Sequence, residues 1–462
     1  MKLKRIAALA ALTVPLAAQA TDGYFSHGYG MKAKGRGGAA TAFATDTFGG
    51  ANNPGSMAFV GTRVDVGLDW FQPQRSASTQ GSGGFNFPLP SGGSIPIPPG
   101  TFDTSVDGNE KENFFIPEFG YNYMLRPDLA LGVTVYGNGG MNTDYNGGAL
   151  TNPTARAACN FFQTGTLGPG NSSYNQLCGN GNLGVDLSQL IIAPTLAWKF
   201  HPDHAIGIAP LIGYQRFKAY GLTAFAGLSS SPGNLTDQGY DSSWGWGVRF
   251  GYFGNITPTV AIGAAYSTKI YMGNFDKYKG LFASQGSFDI PENLNIGVAW
   301  KVVPAVTLAL DYQWINYAGV DSIANSSTQS PCTFGAPTQS ACLGASSQSI
   351  GFGWKAVNVW KLGVDWAVDP RWTLRAGYNH TDNPIQASDV TFNILAPGVV
   401  QDHLTLGATY TLPGGSEITA AYMHAFENSV TGPTNPLYFP VGGTQTIKMY
   451  QNSLGIAWGM KF

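Results

Sequence analysis

The chain has 462 residues, with 62 glycines, 13% aromatic and only 11% charged side chains, against about 25% charged in ordinary soluble proteins. A net charge of −2 leaves no basic footprint for nucleic acid. Beyond the first twenty residues no apolar run approaches the roughly 20 residues that span a bilayer as a helix. What remains is a chain that crosses a membrane with strands, a transmembrane β-barrel.

In chain order, the first element is a secretory signal. Lys2, Lys4 and Arg5 precede the apolar core "IAALAALTVPLAA", and Ala18-Gln19-Ala20 supplies a small-x-small cleavage site, which predicts removal of residues 1–20 and secretion. Residues 21–61 follow, a stretch rich in glycine and alanine, "GRGGAATAFATDTFGGANNPGSMAF", with no barrel-type strand. Lumen width grows with strand number. In a wide barrel this segment is expected to fold back as a plug.

From residue 62 the pattern becomes that of a barrel. Val64, Val66, Leu68 and Trp70 alternate with Arg63, Asp65, Gly67 and Asp69. Arg or Lys facing lipid at mid-bilayer costs about 2–4 kcal/mol, so the charged face looks into the lumen. Fourteen such segments are predicted, at 62–75, 112–125, 129–140, 187–200, 204–218, 242–256, 259–270, 291–302, 305–317, 356–368, 371–383, 402–412, 416–428 and 446–461. An even count brings the last strand beside the first and leaves no edge. The fold class is therefore all-β: a 14-stranded antiparallel barrel over residues 62–462 with an N-terminal plug in its lumen.

Connections after even-numbered strands are tight and contain Pro or Gly, while those after odd-numbered strands are long. Outer-membrane barrels have short periplasmic turns and long extracellular loops, which places both termini in the periplasm. Cys159 and Cys178 share one long loop, and Cys332 and Cys342 another. Of three possible connectivities the two local pairs are favoured, in keeping with an oxidising compartment. The final strand, "SLGIAWGMKF", ends on an aromatic, as expected of a strand read by the barrel-assembly machinery.

Catalysis finds no support here. There is no GxSxG, the pair His201 and His204 lacks a third ligand, and a nucleophile needs a base and an orienting group beside it. No metal site and no cofactor are expected. Arg63, Asp65, Asp69, Arg249, Asp311, Lys361, Asp365 and Arg375 fall on lumen-facing positions, where they are expected to pair with one another and with the plug.

The plug segment ending in Asn53-Pro54-Gly55, the loop "FDKYKGLFASQGSFDIPENL" at 275–294 and the fourteen-strand pattern resemble the FadL-type outer-membrane transporters of long-chain fatty acids and aromatic hydrocarbons. The resemblance spans essentially the whole mature chain, with Gly55 where the family carries Ala. It implies a bacterial outer-membrane monomer that takes up a hydrophobic small molecule without an energy source and releases it sideways into the membrane lipid. By this resemblance Asn53, Pro54 and Gly55 hold a hatch. Leu222, Phe225, Leu228, Phe275, Tyr278, Leu281 and Phe282 form a capture surface on the outer loops. Gly137, Gly139 and Gly140, at the end of the third strand, mark a lateral gap. A general diffusion porin and a structural or adhesive barrel are the alternatives.

Overall fold

The computed structural model describes residues 21–88, 92–166, 168–329, 332, 339–436 and 441–462; the predicted signal, residues 1–20, lies outside them. The barrel strands are β1 (Arg63–Gln80), β2 (Phe114–Arg126), β3 (Leu129–Asn142), β4 (Gly184–His201), β5 (His204–Tyr220), β6 (Asp241–Thr257), β7 (Val260–Ser267), β8 (Asn293–Val303), β9 (Val306–Ile315), β10 (Val357–Ala367), β11 (Trp372–Thr381), β12 (Asp402–Thr411), β13 (Glu417–Pro433) and β14 (Thr444–Lys461). Each pairs antiparallel with the next, and β14 returns to β1 from Arg63↔Lys461 to Gln80↔Thr444. Fourteen strands close the ring. Two short strands, Thr104–Asp107 on β1 and Tyr271–Met272 on β6, extend the sheet beyond it.

The alternation sorts the faces as the sequence predicts. Val66, Leu68 and Trp70 are exposed on the outer wall, while Arg63, Asp65 and Asp69 are buried in the lumen. The apolar outer face meets lipid, and the pairing of β14 with β1 closes the ring. Several strands outrun their apolar stripe: β1 reaches Gln80 rather than 75, β4 begins at Gly184 rather than 187, and β13 continues to Pro433. Their backbone ladders persist in polar sequence, where no lipid-facing period marks them. β7 stops at Ser267 instead of 270, because Ile270 turns away to pair with Ile290.

Residues 21–61 run through the lumen as short helical turns, Met31–Lys34, Gly49–Asn52, Pro54–Ser56 and Met57–Val60. No turn is long enough to be stable alone; what fixes the segment is the wall. The inward positions that meet it are often glycine. A Cβ on Gly251 would run into the Asn53 side chain and Pro54, and one on Gly207 into the Pro54 carbonyl group. Glycine in a strand commonly marks a place where another backbone approaches closely. Part of the chain's high glycine content is thus the fit between plug and barrel.

Both disulfides join the expected local pairs, Cys159–Cys178 and Cys332–Cys342, with Cα–Cα distances of 5.1 and 5.2 Å. The first ties the helix Pro153–Thr164 to the return of its loop, 19 residues on. Replacing Cys159 and Cys178 by Ser is expected to destabilise this loop by about 3 kcal/mol on a chain-entropy account. Limited proteolysis of intact cells reads the change as faster cleavage between residues 150 and 180, while barrel assembly stays normal.

Candidate functional site: the plug and the adjoining wall

Three cations at alternate positions, Lys32, Lys34 and Arg36, fasten the plug to three sectors of the wall. Lys34 Nζ lies 2.7 Å from Asp69 and 3.9 Å from Glu118. Lys32 lies 2.7 Å from Glu417, and Arg36 lies 2.9 Å from Asp365, which also holds Arg375 at 3.2 Å. Burial pulls the Lys34 ammonium pKa down, but Asp69 and Glu118 outweigh it and hold the group above the usual lysine value. Neighbouring His27 is driven well below the usual histidine range, by burial first and then by His403 and the adjacent lysines. It therefore sits in the plug as a neutral ring.

The lumen charges meet one another or the plug, as expected. Arg63 bonds Asp65 and Glu417, Lys361 lies 3.5 Å from Asp22, and Asp311 accepts the Ala40 and Thr41 backbone N–H groups, both at 2.8 Å. Arg249 alone meets no carboxylate: it donates to Asn293 Oδ1 and to the Asn52 carbonyl at 3.1 and 3.0 Å.

Asn53, Pro54 and Gly55 form the plug's anchor against β5 and β6. The Asn53 amide donates to the Thr41 and Tyr252 carbonyls, both at 2.7 Å, while its Oδ1 accepts the Gly55 N–H at 3.1 Å. Gly55 makes no use of the positive φ open to glycine: it lies inside the 3₁₀ turn Pro54–Ser56. Contact explains the glycine. A Cβ there would sit 2.9 Å from the Phe253 nitrogen and 3.1 Å from the Ala205 carbonyl oxygen, so an alanine would crowd this wall.

The three candidate gap glycines lie at a break in the wall. β2 pairs with β3 only from Phe119↔Val135 to Arg126↔Leu129, so residues 114–118 of β2 keep β1 as their only ladder partner. Between Gly137 and Gly139 the β3–β4 register shifts, and Asn138 is the extra residue of a bulge. A bulge bends its strand and leaves a residue unpaired. β3 then turns to the plug: Ser26 N–H donates to Asn138 at 3.1 Å and Gly140 N–H to Tyr24 at 3.0 Å. A Cβ on Gly139 would strike the Tyr24 carbonyl. Ile116 fills the resulting window from β2, and a Cβ on Gly137 would lie 2.9 Å from its Cγ2.

The seven expected capture residues come together but do not form an outward patch. Leu222, Phe225, Leu228, Phe275, Tyr278, Leu281 and Phe282 are all buried. The period of three in the first three is that of the 3₁₀ turn Thr223–Leu228, and their apolar faces pack within the loop cap. Sequence alternation gave no signal for their hub, Phe217 on β5, whose ring lies 5.5, 4.9 and 4.7 Å from those of Phe275, Tyr278 and Phe282. From Phe282 the aromatic contacts run through Phe288 at 4.8 Å to Tyr24 at 6.3 Å, and on to Tyr317 and Trp354. A column of rings thus links the outer cap to the start of the plug.

A profile of the family described as "Outer membrane protein transport protein (OMPP1/FadL/TodX)" matches residues 8–457. The chain belongs to this family of outer-membrane transport proteins. Its fold is shared with solved members. The Pseudomonas putida toluene transporter TodX superposes with a TM-score of 0.64 at 14% identity, over 94% of this chain and 99% of that one. A Pseudomonas aeruginosa FadL homologue gives 0.64 at 16% identity over 95% and 100%. The Ralstonia pickettii toluene transporter TbuX gives 0.59 at 17% identity over 94% and 99%. No curated protein matches the sequence. The family is one of outer-membrane transport proteins, not of enzymes, and it places the barrel in the outer membrane.

Proposed function

We propose that this FadL-family barrel carries out energy-independent uptake of hydrophobic small molecules, long-chain fatty acids or related hydrocarbons. The ligand enters through the apolar extracellular cap, passes along the aromatic column and is stopped by the plug. It leaves sideways through the β2–β3 window into the bilayer. One observation carries this reading: the β2–β3 ladder ends at Phe119↔Val135 and β3 bulges at Asn138, and this break lies beside the plug's first residues, Tyr24–Ser26. The direct route to the periplasm is filled by the ion-paired plug, whereas the sideways route is closed by apolar side chains such as Ile116. Apolar burial supplies the affinity, at about 0.8 kcal/mol per CH₂ removed from water. The structural relatives TodX and TbuX are described as toluene transporters, which makes a monoaromatic hydrocarbon the natural comparison to a fatty acid.

Uptake of labelled oleate and of toluene, in cells lacking their own transporter of this family, tests the reading. Wild type is expected to take up one or both. The Asn53→Ala, Pro54→Ala double variant, at equal outer-membrane abundance, is expected to lose most of that uptake because its plug is no longer anchored to β5 and β6. If neither compound enters, or if small sugars leak equally through both proteins, an open pore or a structural barrel replaces the transporter.

A further inference from the structure

Arg249 differs from the three other lumen cations marked by the sequence, Arg63, Lys361 and Arg375, each of which lies within 3.5 Å of a carboxylate. Arg249 points inward from β6, is 5% exposed, and has only neutral partners, the Asn293 side chain and the Asn52 carbonyl. Its Nε has no partner among the described residues. Arginine does not lose its proton inside a protein, and a buried charge is normally matched by an opposite one. Lysine and histidine escape this demand by neutralising; this guanidinium has no such option.

Beside it lies a cavity of about 20 Å³, whose lining includes Tyr29, Asn138, Gln313, Arg249 and Lys361 and contains no carboxylate. Lys361 is already committed to the His27 carbonyl at 2.8 Å and to Asp22 at 3.5 Å. Gln313 has an amide oxygen with no partner. Oxygen and nitrogen of an amide are assigned from their surroundings, so the reversed amide would present a donor to the same space. The volume exceeds the roughly 10–15 Å³ that one water-sized particle needs and is far too small for an alkyl chain.

We propose that Arg249 and this cavity bind a small monovalent anion of about chloride size. The ion would supply the missing countercharge. It would also brace the plug, because the same guanidinium holds the Asn52 carbonyl, one residue before the Asn53 anchor.

The test uses the purified full-length protein. Crystals soaked in bromide should give an anomalous peak within hydrogen-bond distance of the Arg249 guanidinium. In solution, at constant ionic strength, replacing gluconate by chloride or bromide should raise the thermal midpoint saturably, and Arg249→Met should abolish that saturable rise. No bromide peak at Arg249, or equal midpoints in chloride and gluconate, would overturn the proposal. These two wild-type measurements decide it even if the variant does not assemble. A co-crystal with laurate separates the two possible sources of the anion. If a laurate carboxylate occupies the site and bromide never does, the anion belongs to the substrate and the free-ion proposal fails. None of these outcomes depends on whether uptake is observed.

Discussion

A disulfide between Ile116→Cys and Gly137→Cys is expected to abolish uptake in oxidised cells, with recovery on addition of dithiothreitol. The two positions face each other across the window, since a Cβ on Gly137 would lie 2.9 Å from Ile116 Cγ2. The bond would staple β2 to β3 where the ladder is missing, beyond Phe119↔Val135. If the substrate leaves sideways, uptake should fall at least tenfold. Wild type treated in the same way controls for reduction of Cys159–Cys178 and Cys332–Cys342. Uptake unchanged in a fully cross-linked protein would move the exit elsewhere, most simply straight down past the plug.

The second large effect is on the plug's ionic anchor. Asp69→Ala leaves Lys34 buried, with its side chain 4% exposed, and its remaining carboxylate, Glu118, 3.9 Å away. Breaking a buried ion pair by removing one partner costs about 3–5 kcal/mol, because an uncompensated charge stays behind. That cost falls on the seated plug rather than on the barrel, whose strand ladder is intact. The expected result is ion conductance in planar bilayers and sensitivity of cells to antibiotics normally too large to enter, with heat-modifiable migration on gels unchanged. The double variant Asp69→Ala, Lys34→Met removes both charges and should restore much of the seal. An Asp69→Ala protein as tight as wild type would show that backbone contacts alone hold the plug.

Much of the architecture was legible from side-chain period alone. A lipid bilayer forces one face of every strand to be apolar, and this writes the strand count, the even closure and the loop parity directly into the sequence. The bulge near "YGNGG" was visible as a cluster of glycines, though its register was not. The sequence also marked Asn53-Pro54-Gly55, but not what Gly55 is for, which is a close approach to Phe253 and Ala205.

What only the tertiary structure decided concerns contacts between segments far apart in the chain. Alternation cannot say that Lys34 meets Asp69, that Ser26 replaces a strand partner for Asn138, or that Phe217 gathers the rings of a loop some sixty residues away. The loop apolar residues were read as an outward surface because the sequence shows their apolar nature and not their neighbours. Arg249 is the clearest case. By sequence it is one of eight similar lumen charges, and only the fold shows that its partners, the Asn293 side chain and the Asn52 carbonyl, are both neutral. Period is imposed by the solvent on each strand separately, so one sequence carries it. Charge pairing is imposed by the closed lumen as a whole, so it exists only once the barrel has closed around its plug.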